Sequence, residues 1–224
     1  MNKAFWKTAS ASLGYLACAI ACLIQWNSPN PLSRVDWFSG GYFFLRFVGS
    51  VHSIFSSLRA FRSESIREEW WALDSDPKGP RWVMVLMALD LAVFLDYGHW
   101  RVLPLLMRPT LQALGLTVYA GVTGWQIWTD AYLARYFNRT HAIPAPMNHG
   151  PYRYVRHPRY GAAIVGKVAM ALIFGSLFGW LLVFAWGILL LKKIEVEEQH
   201  LRRFFGRSYE LYARQTARVL PGIY

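Results

Sequence analysis

Residues Gly150 to Tyr160 read GPYRYVRHPRY, a run with three arginines, three tyrosines, one histidine and two prolines. Guanidinium groups grip carboxylates and phosphates through paired N–H donors. Proline fixes its own φ and pushes the preceding His157 out of the helical region. A helix is therefore expected to begin at Pro158, with amide donors near Tyr160 and Gly161 left for an anion. The plainer account is that His157 is structural or solvated and that the arginines meet lipid phosphates. A second polar cluster, Lys192-Lys193-Ile194-Glu195-Val196-Glu197-Glu198, follows the next apolar run. Adjacent carboxylates on a helix point about 100° apart, so one of Glu197 and Glu198 is expected to face inward and the other solvent. The plainer account here is a solvated face, with Lys193–Glu197 and Glu198–Arg202 as i,i+4 pairs. We expect the two clusters to meet in one site that handles a charged small molecule.

The elements that must hold these clusters are apolar. Of 224 residues, 54% are hydrophobic and only 17% charged, and the apolar residues fall in long runs. That pattern predicts an all-α, polytopic membrane helix bundle with a cytoplasmic, cofactor-binding C-terminal region. Expected spans are 9–26, 41–58, 82–97 and 110–129, then a short helical hairpin over 161–191 broken at Gly175-Ser176 and Gly179. Residues 59–81 read as an interfacial helix and 130–160 as a polar loop. The span at 41–58 carries Arg46 and His52 and alternatively lies flat on the surface, so the count is five or six. Arg46 is expected to pair with Asp90 or Asp96 inside the bundle.

Charge supports this layout. With six spans and the N-terminus inside, the inner segments hold 19 Lys or Arg and the outer loops three, as the positive-inside rule requires. Both polar clusters then lie on the cytoplasmic side. The net charge of +11 reads as affinity for anionic membrane lipid. Nucleic-acid binding is not expected, because no basic reader motif is present. The two cysteines, Cys18 and Cys22, share one apolar helix face and suggest neither a disulfide nor a metal site. The organisation expected is 1–109 as N-terminal transmembrane helices with an interfacial helix, and 110–224 as a catalytic core. The oligomeric state is not legible.

Two motifs in order carry a family resemblance. Gly150, Tyr152, Arg156, His157, Pro158 and Tyr160 fit G-x-Y-x-x-x-R-H-P-x-Y. Glu197, Glu198, Leu201, Phe205, Gly206, Tyr209 and Tyr212 fit E-E-x-x-L-x-x-x-F-G-x-x-Y-x-x-Y, with Arg218 and Pro221 in the tail. Over roughly 110–224 the chain resembles the isoprenylcysteine carboxyl methyltransferase family and the related phospholipid methyltransferases. The resemblance implies an S-adenosyl-L-methionine site formed by Pro146, Met147, Tyr152, His157, Tyr160 and Glu197. It also implies a lipophilic or prenylated acceptor entering from the bilayer. Where the family has an arginine thought to meet the acceptor, this chain has Lys193, which cannot grip a carboxylate bidentately.

The catalytic candidates are Arg156, Lys193 and Glu198. A carboxylate acceptor is already ionised and needs only a cation to orient it, from Lys193, Arg156 or Arg153. An amine acceptor needs a proton sink, for which Glu198 or Glu195 is the candidate. The excess of cations favours an anionic acceptor. The alternatives are a phospholipid N-methyltransferase, a nicotinamide-dependent reductase of the sterol type, whose members resemble this chain around H-P-x-Y, and a non-enzymatic membrane scaffold.

Overall fold

A computed structural model of the protein describes residues 14–15, 17–24, 30, 32, 35–60, 79–139 and 146–222. The long helices among them are α1 (Trp37–Ala60), α2 (Gly79–Leu95), α3 (Pro109–Arg139), α4 (Pro158–Phe174), α5 (Leu177–Phe205) and α6 (Arg207–Gln215). A π-helical turn at Asp96–Trp100 and 3-10 turns at Pro104–Leu106 and Gly150–Arg153 link them. Of the expected first span, residues 14–15 and 17–21 are helical. Most of the expected interfacial helix, 61–78, lies outside the described residues.

Helix ends follow local chemistry. Asp36 and Ser39 form a reciprocal capping box: the Ser39 amide donates to Asp36 Oδ1 (2.8 Å) and the Asp36 amide to Ser39 Oγ (3.0 Å). This starts α1 at Trp37, four residues before the span expected from hydropathy. At the break between α4 and α5, Gly175 takes φ 54°, the left-handed conformation that ends many helices. The chain then turns back, as the expected hairpin requires.

Two helices outrun their expected limits. α3 continues ten residues past Thr129, into the stretch read as a polar loop, and α5 runs through the acidic cluster to Phe205. The second arm of the hairpin is therefore not short; at 29 residues it is about 43 Å long. Polarity rises at Asp130 and at Lys192, but no Gly or Pro follows until Pro144 and Gly206. A polarity change ends an apolar face without ending a helix.

The helices pack round an aromatic core of Tyr42, Phe94, Tyr97, Tyr119 and Phe174, whose rings meet edge-on or tilted. α3 lies against both α1 and α4, and α5 against α4 and α2. Gly115 lets α3 approach α4 closely, since a Cβ there would stand 2.8 Å from the Ala169 carbonyl. Buried Gln112 donates to the carbonyl of Ile173 (2.9 Å), satisfying an acceptor in the last turn of α4.

The expected Arg46 pairing is corrected. Asp90 binds Lys167 instead, with Nζ at 2.5 and 2.8 Å from its two oxygens. Asp96 caps the chain after α2: its carboxylate accepts the Val102 amide (2.9 Å) and its carbonyl the Arg101 amide (2.7 Å). Arg46 stands over the Tyr15 ring at 5.5 Å.

Candidate functional site

The two polar clusters meet. After the 3-10 turn at Gly150–Arg153, the chain runs extended through Val155 to His157 and pairs with the returning tail. Val155 and Ala217 form a parallel bridge, and the amides of Arg156 and His157 donate to the carbonyls of Ala217 (2.8 Å) and Arg218 (3.1 Å). α4 starts at Pro158, where an N1 proline removes a donor the helix does not use. The amides of Tyr160 and Gly161 donate back to the His157 carbonyl at 3.1 and 3.0 Å. This overturns the expectation that they are left for an anion: the His157 carbonyl closes the first turn. Gly161 also brings α4 onto the tail, since a Cβ there would lie 2.6 Å from the Val219 carbonyl.

Glu198 is the hub. Its Oε1 accepts the Arg156 Nε–H (2.9 Å) and lies 3.3 Å from both His157 Nε2 and Arg218 Nε, while Oε2 is 3.7 Å from Arg202. Burial opposes its ionisation. Hydrogen bonds from His157 and Arg156 and the charges of Arg156 and Arg218 prevail and hold its pKa down at about 2. Arg156 also donates to the carbonyls of Ala213 (2.6 Å) and Thr216, fastening the C-terminal end of α6. The geometry thus commits Arg156 and Glu198 to holding motif, α5 and tail together.

Glu197 has the opposite fate. One residue along α5 it turns toward the other ring nitrogen of His157, with Oε2 at 3.7 Å from Nδ1. That oxygen is buried and has no hydrogen-bond partner among the described residues. A buried acceptor without a donor is costly, and it suits a ligand that brings N–H or O–H groups. Tyr160 stacks on His157 at 5.6 Å, giving a flat aromatic wall beside it.

The other expected residues surround this point. Tyr152 is half-buried and its carbonyl accepts the Tyr212 hydroxyl (2.7 Å). Burial pushes the Tyr152 phenol up, despite the nearby Arg159, and Glu197 and Asp130 push it the same way. Pro146 and Met147 are half-buried in the non-helical lead-in to the Gly150–Arg153 turn. Lys193 is exposed, one turn before Glu197 on the same helix face. Sequence reasoning missed Asp130, 8% exposed and paired with Arg159 at 3.2 Å; its place at the end of an apolar helix was the available signal.

The sequence model of the phospholipid methyltransferase family matches residues 111–208. The protein-S-isoprenylcysteine O-methyltransferase of Dictyostelium discoideum is 34% identical over 83 residues, covering 35% of this chain and 33% of that relative. Probable protein-S-isoprenylcysteine O-methyltransferases of Oryza sativa subsp. indica and subsp. japonica are each 37% identical over 81 residues, covering 34% of this chain and 41% of theirs. The chain thus spans between a third and about two-fifths of the length of these curated relatives.

Proposed function

We propose that this protein, whose residues 111–208 match the phospholipid methyltransferase family, is an integral-membrane, S-adenosyl-L-methionine-dependent methyltransferase acting on a lipophilic acceptor. The reaction is carboxyl O-methylation of an isoprenylcysteine-like substrate that enters from the bilayer. The observation that carries this reading is the buried, donor-less Glu197 oxygen beside the stacked His157–Tyr160 pair. A carboxylate so placed takes the hydroxyl or ammonium donors of a nucleoside amino acid. His157, Tyr160, Tyr152 and Glu197, with the backbone at Pro146 and Met147, hold the cofactor. When bound, S-adenosyl-L-methionine supplies a methyl group on positively charged sulfur, and its transfer to a carboxylate oxygen neutralises both charges without moving a proton.

What Glu198 cannot do supports this acceptor class. An ion-paired carboxylate held at a pKa of about 2 is a poor proton sink, and Glu195 is exposed to solvent. An amine acceptor therefore lacks the base expected for it, whereas a carboxylate acceptor needs none. Lys193 orients the acceptor carboxylate, and Arg156 shapes the site through Glu198.

The membrane reading has its own support. α5 is long and apolar enough to cross a membrane, and the outside of the bundle carries exposed Phe44, Phe47, Met84, Leu114, Phe184 and Ile188. α1 packs along α3, which favours six spans over five. The charge bias supports a site on the cytoplasmic side, with 110–224 as the catalytic core and 1–109 shaping acceptor entry.

The test is calorimetric binding of S-adenosylhomocysteine and of NADPH to the detergent-purified protein. Binding of the first, lost in both Glu197→Ala and His157→Ala, is the expected result. Binding of NADPH alone would replace this reading with a reductase, and retained binding in both variants would sink the site assignment.

A further inference from the structure

Outside the cofactor site the bundle holds a second group of charges. Lys167 of α4 donates to both oxygens of Asp90 of α2, with 15% and 12% of the two side chains exposed. Arg46 of α1 stands over Tyr15 and lies within electrostatic reach of Asp90 and Tyr119. The Tyr15 hydroxyl is buried and faces Asp90 and Arg46, with no well-formed hydrogen bond among the described residues. Among the described residues, two cations thus share one carboxylate, leaving one positive charge uncompensated there. An unbalanced charge in an apolar bundle is costly, and an arriving anion relieves it. Lys167 has a third N–H beyond the two that Asp90 accepts.

The position connects this group to the cofactor site. Lys167 follows Tyr160 by seven residues, which returns it to the same face of α4 about 10 Å along the axis. Helical side chains lean toward the N-terminus of their helix. The N-terminus of α4 is the Tyr160 end, so the lysine ammonium closes part of that distance. Arg46 is exposed, so it is the member of the group that an arriving molecule can meet first.

We infer that Lys167, Asp90, Arg46 and Tyr15 form an acceptor-recognition site that first holds the carboxylate of a lipophilic acceptor, before it passes to Lys193 for methyl transfer. This rests on the carboxyl-methylating reading above. The chemistry also provides for release: the substrate acid carries the charge the site lacks, and the ester product does not.

The ion pair could instead only tie α2 to α4, and removing the cation outside that pair separates the two roles. Binding of S-farnesylcysteine and of its methyl ester is measured on purified wild type, Lys167→Met and Arg46→Gln, alongside thermal unfolding. The wild type is expected to prefer the acid by at least about tenfold, the worth of one charge-assisted hydrogen bond. Lys167→Met loses that preference together with stability. Arg46→Gln, which leaves the Lys167–Asp90 contact in place, loses the preference and keeps the stability. Equal binding of acid and ester by the wild type, or a preference that survives Arg46→Gln, would reduce the pair to a structural tie and leave the acceptor carboxylate to Lys193. Phosphatidic acid displacing the farnesyl acid at equal concentration would overturn the assignment in favour of a resident lipid. S-adenosylhomocysteine binding, measured in parallel, reports on the methyltransferase reading by itself, and the acid–ester comparison decides the recognition site whichever way it falls.

Discussion

Glu197 and Glu198 differ by one position and in nearly everything else. Helical geometry made it legible that one would turn in. It did not show which cations would meet it, because Arg156 and Arg218 come from 42 residues before and 20 after. The difference is testable by pH. Glu198 has its folded pKa lowered from 4.5 to about 2, so its stabilisation is complete above the unfolded value and drains away as pH falls from about 4.5 toward 2. The shift corresponds to about 3 kcal/mol. Glu198→Gln, which leaves Arg156 and Arg218 without their counter-charge, is expected to cost about 3–5 kcal/mol at pH 7. The gap between wild type and variant in thermal unfolding should narrow steadily toward pH 3; a gap that stays constant would mean that Glu198 is not held ionised by its partners.

Among the elements, hydropathy placed the bundle helices well and their polar ends badly. α3 and α5 continue through Asp130 and Lys192 because helix propensity persists where apolarity stops. The hairpin break was legible, since Gly175 supplied the conformation needed there. The bridge between Val155 and Ala217 was not, because two residues in extended conformation carry no periodicity. The close contact at Gly161 tests that bridge. Gly161→Ala pushes a methyl against the Val219 carbonyl and is expected to cost about 1–3 kcal/mol. Hydrogen exchange at the amides of Arg156 and His157 should accelerate with it, and S-adenosylhomocysteine binding should weaken. Unchanged exchange would show that the tail does not hold the motif.

At the scale of the whole molecule, the positive-inside count predicted that both clusters share one side, and they share one site. Sidedness can be read by labelling single cysteines in a Cys18→Ser/Cys22→Ser background. Ser208→Cys, at the start of α6, is expected to react from the cytoplasmic face. Trp37→Cys, at a position 93% exposed at the start of α1, is expected to react from the opposite one. Reaction of both from the same face would break the proposed topology. The charges inside the bundle were visible in the sequence, but their pairing was not: the sequence pointed to Arg46 for Asp90 or Asp96, whereas Asp90 takes Lys167, 77 residues along the chain.

The tail pairing also fixes an order of events during synthesis. The motif at 155–157 leaves the ribosome well before residues 217–219, and α4 and α5 are made in between. Glu198 arrives with α5, but until the tail follows, Arg156 lacks the Ala213 and Thr216 carbonyls and the His157 amide lacks its Arg218 acceptor. The motif is therefore pinned by the segment made last. On the proposed reading, a nascent chain cannot hold cofactor until that tail has folded back.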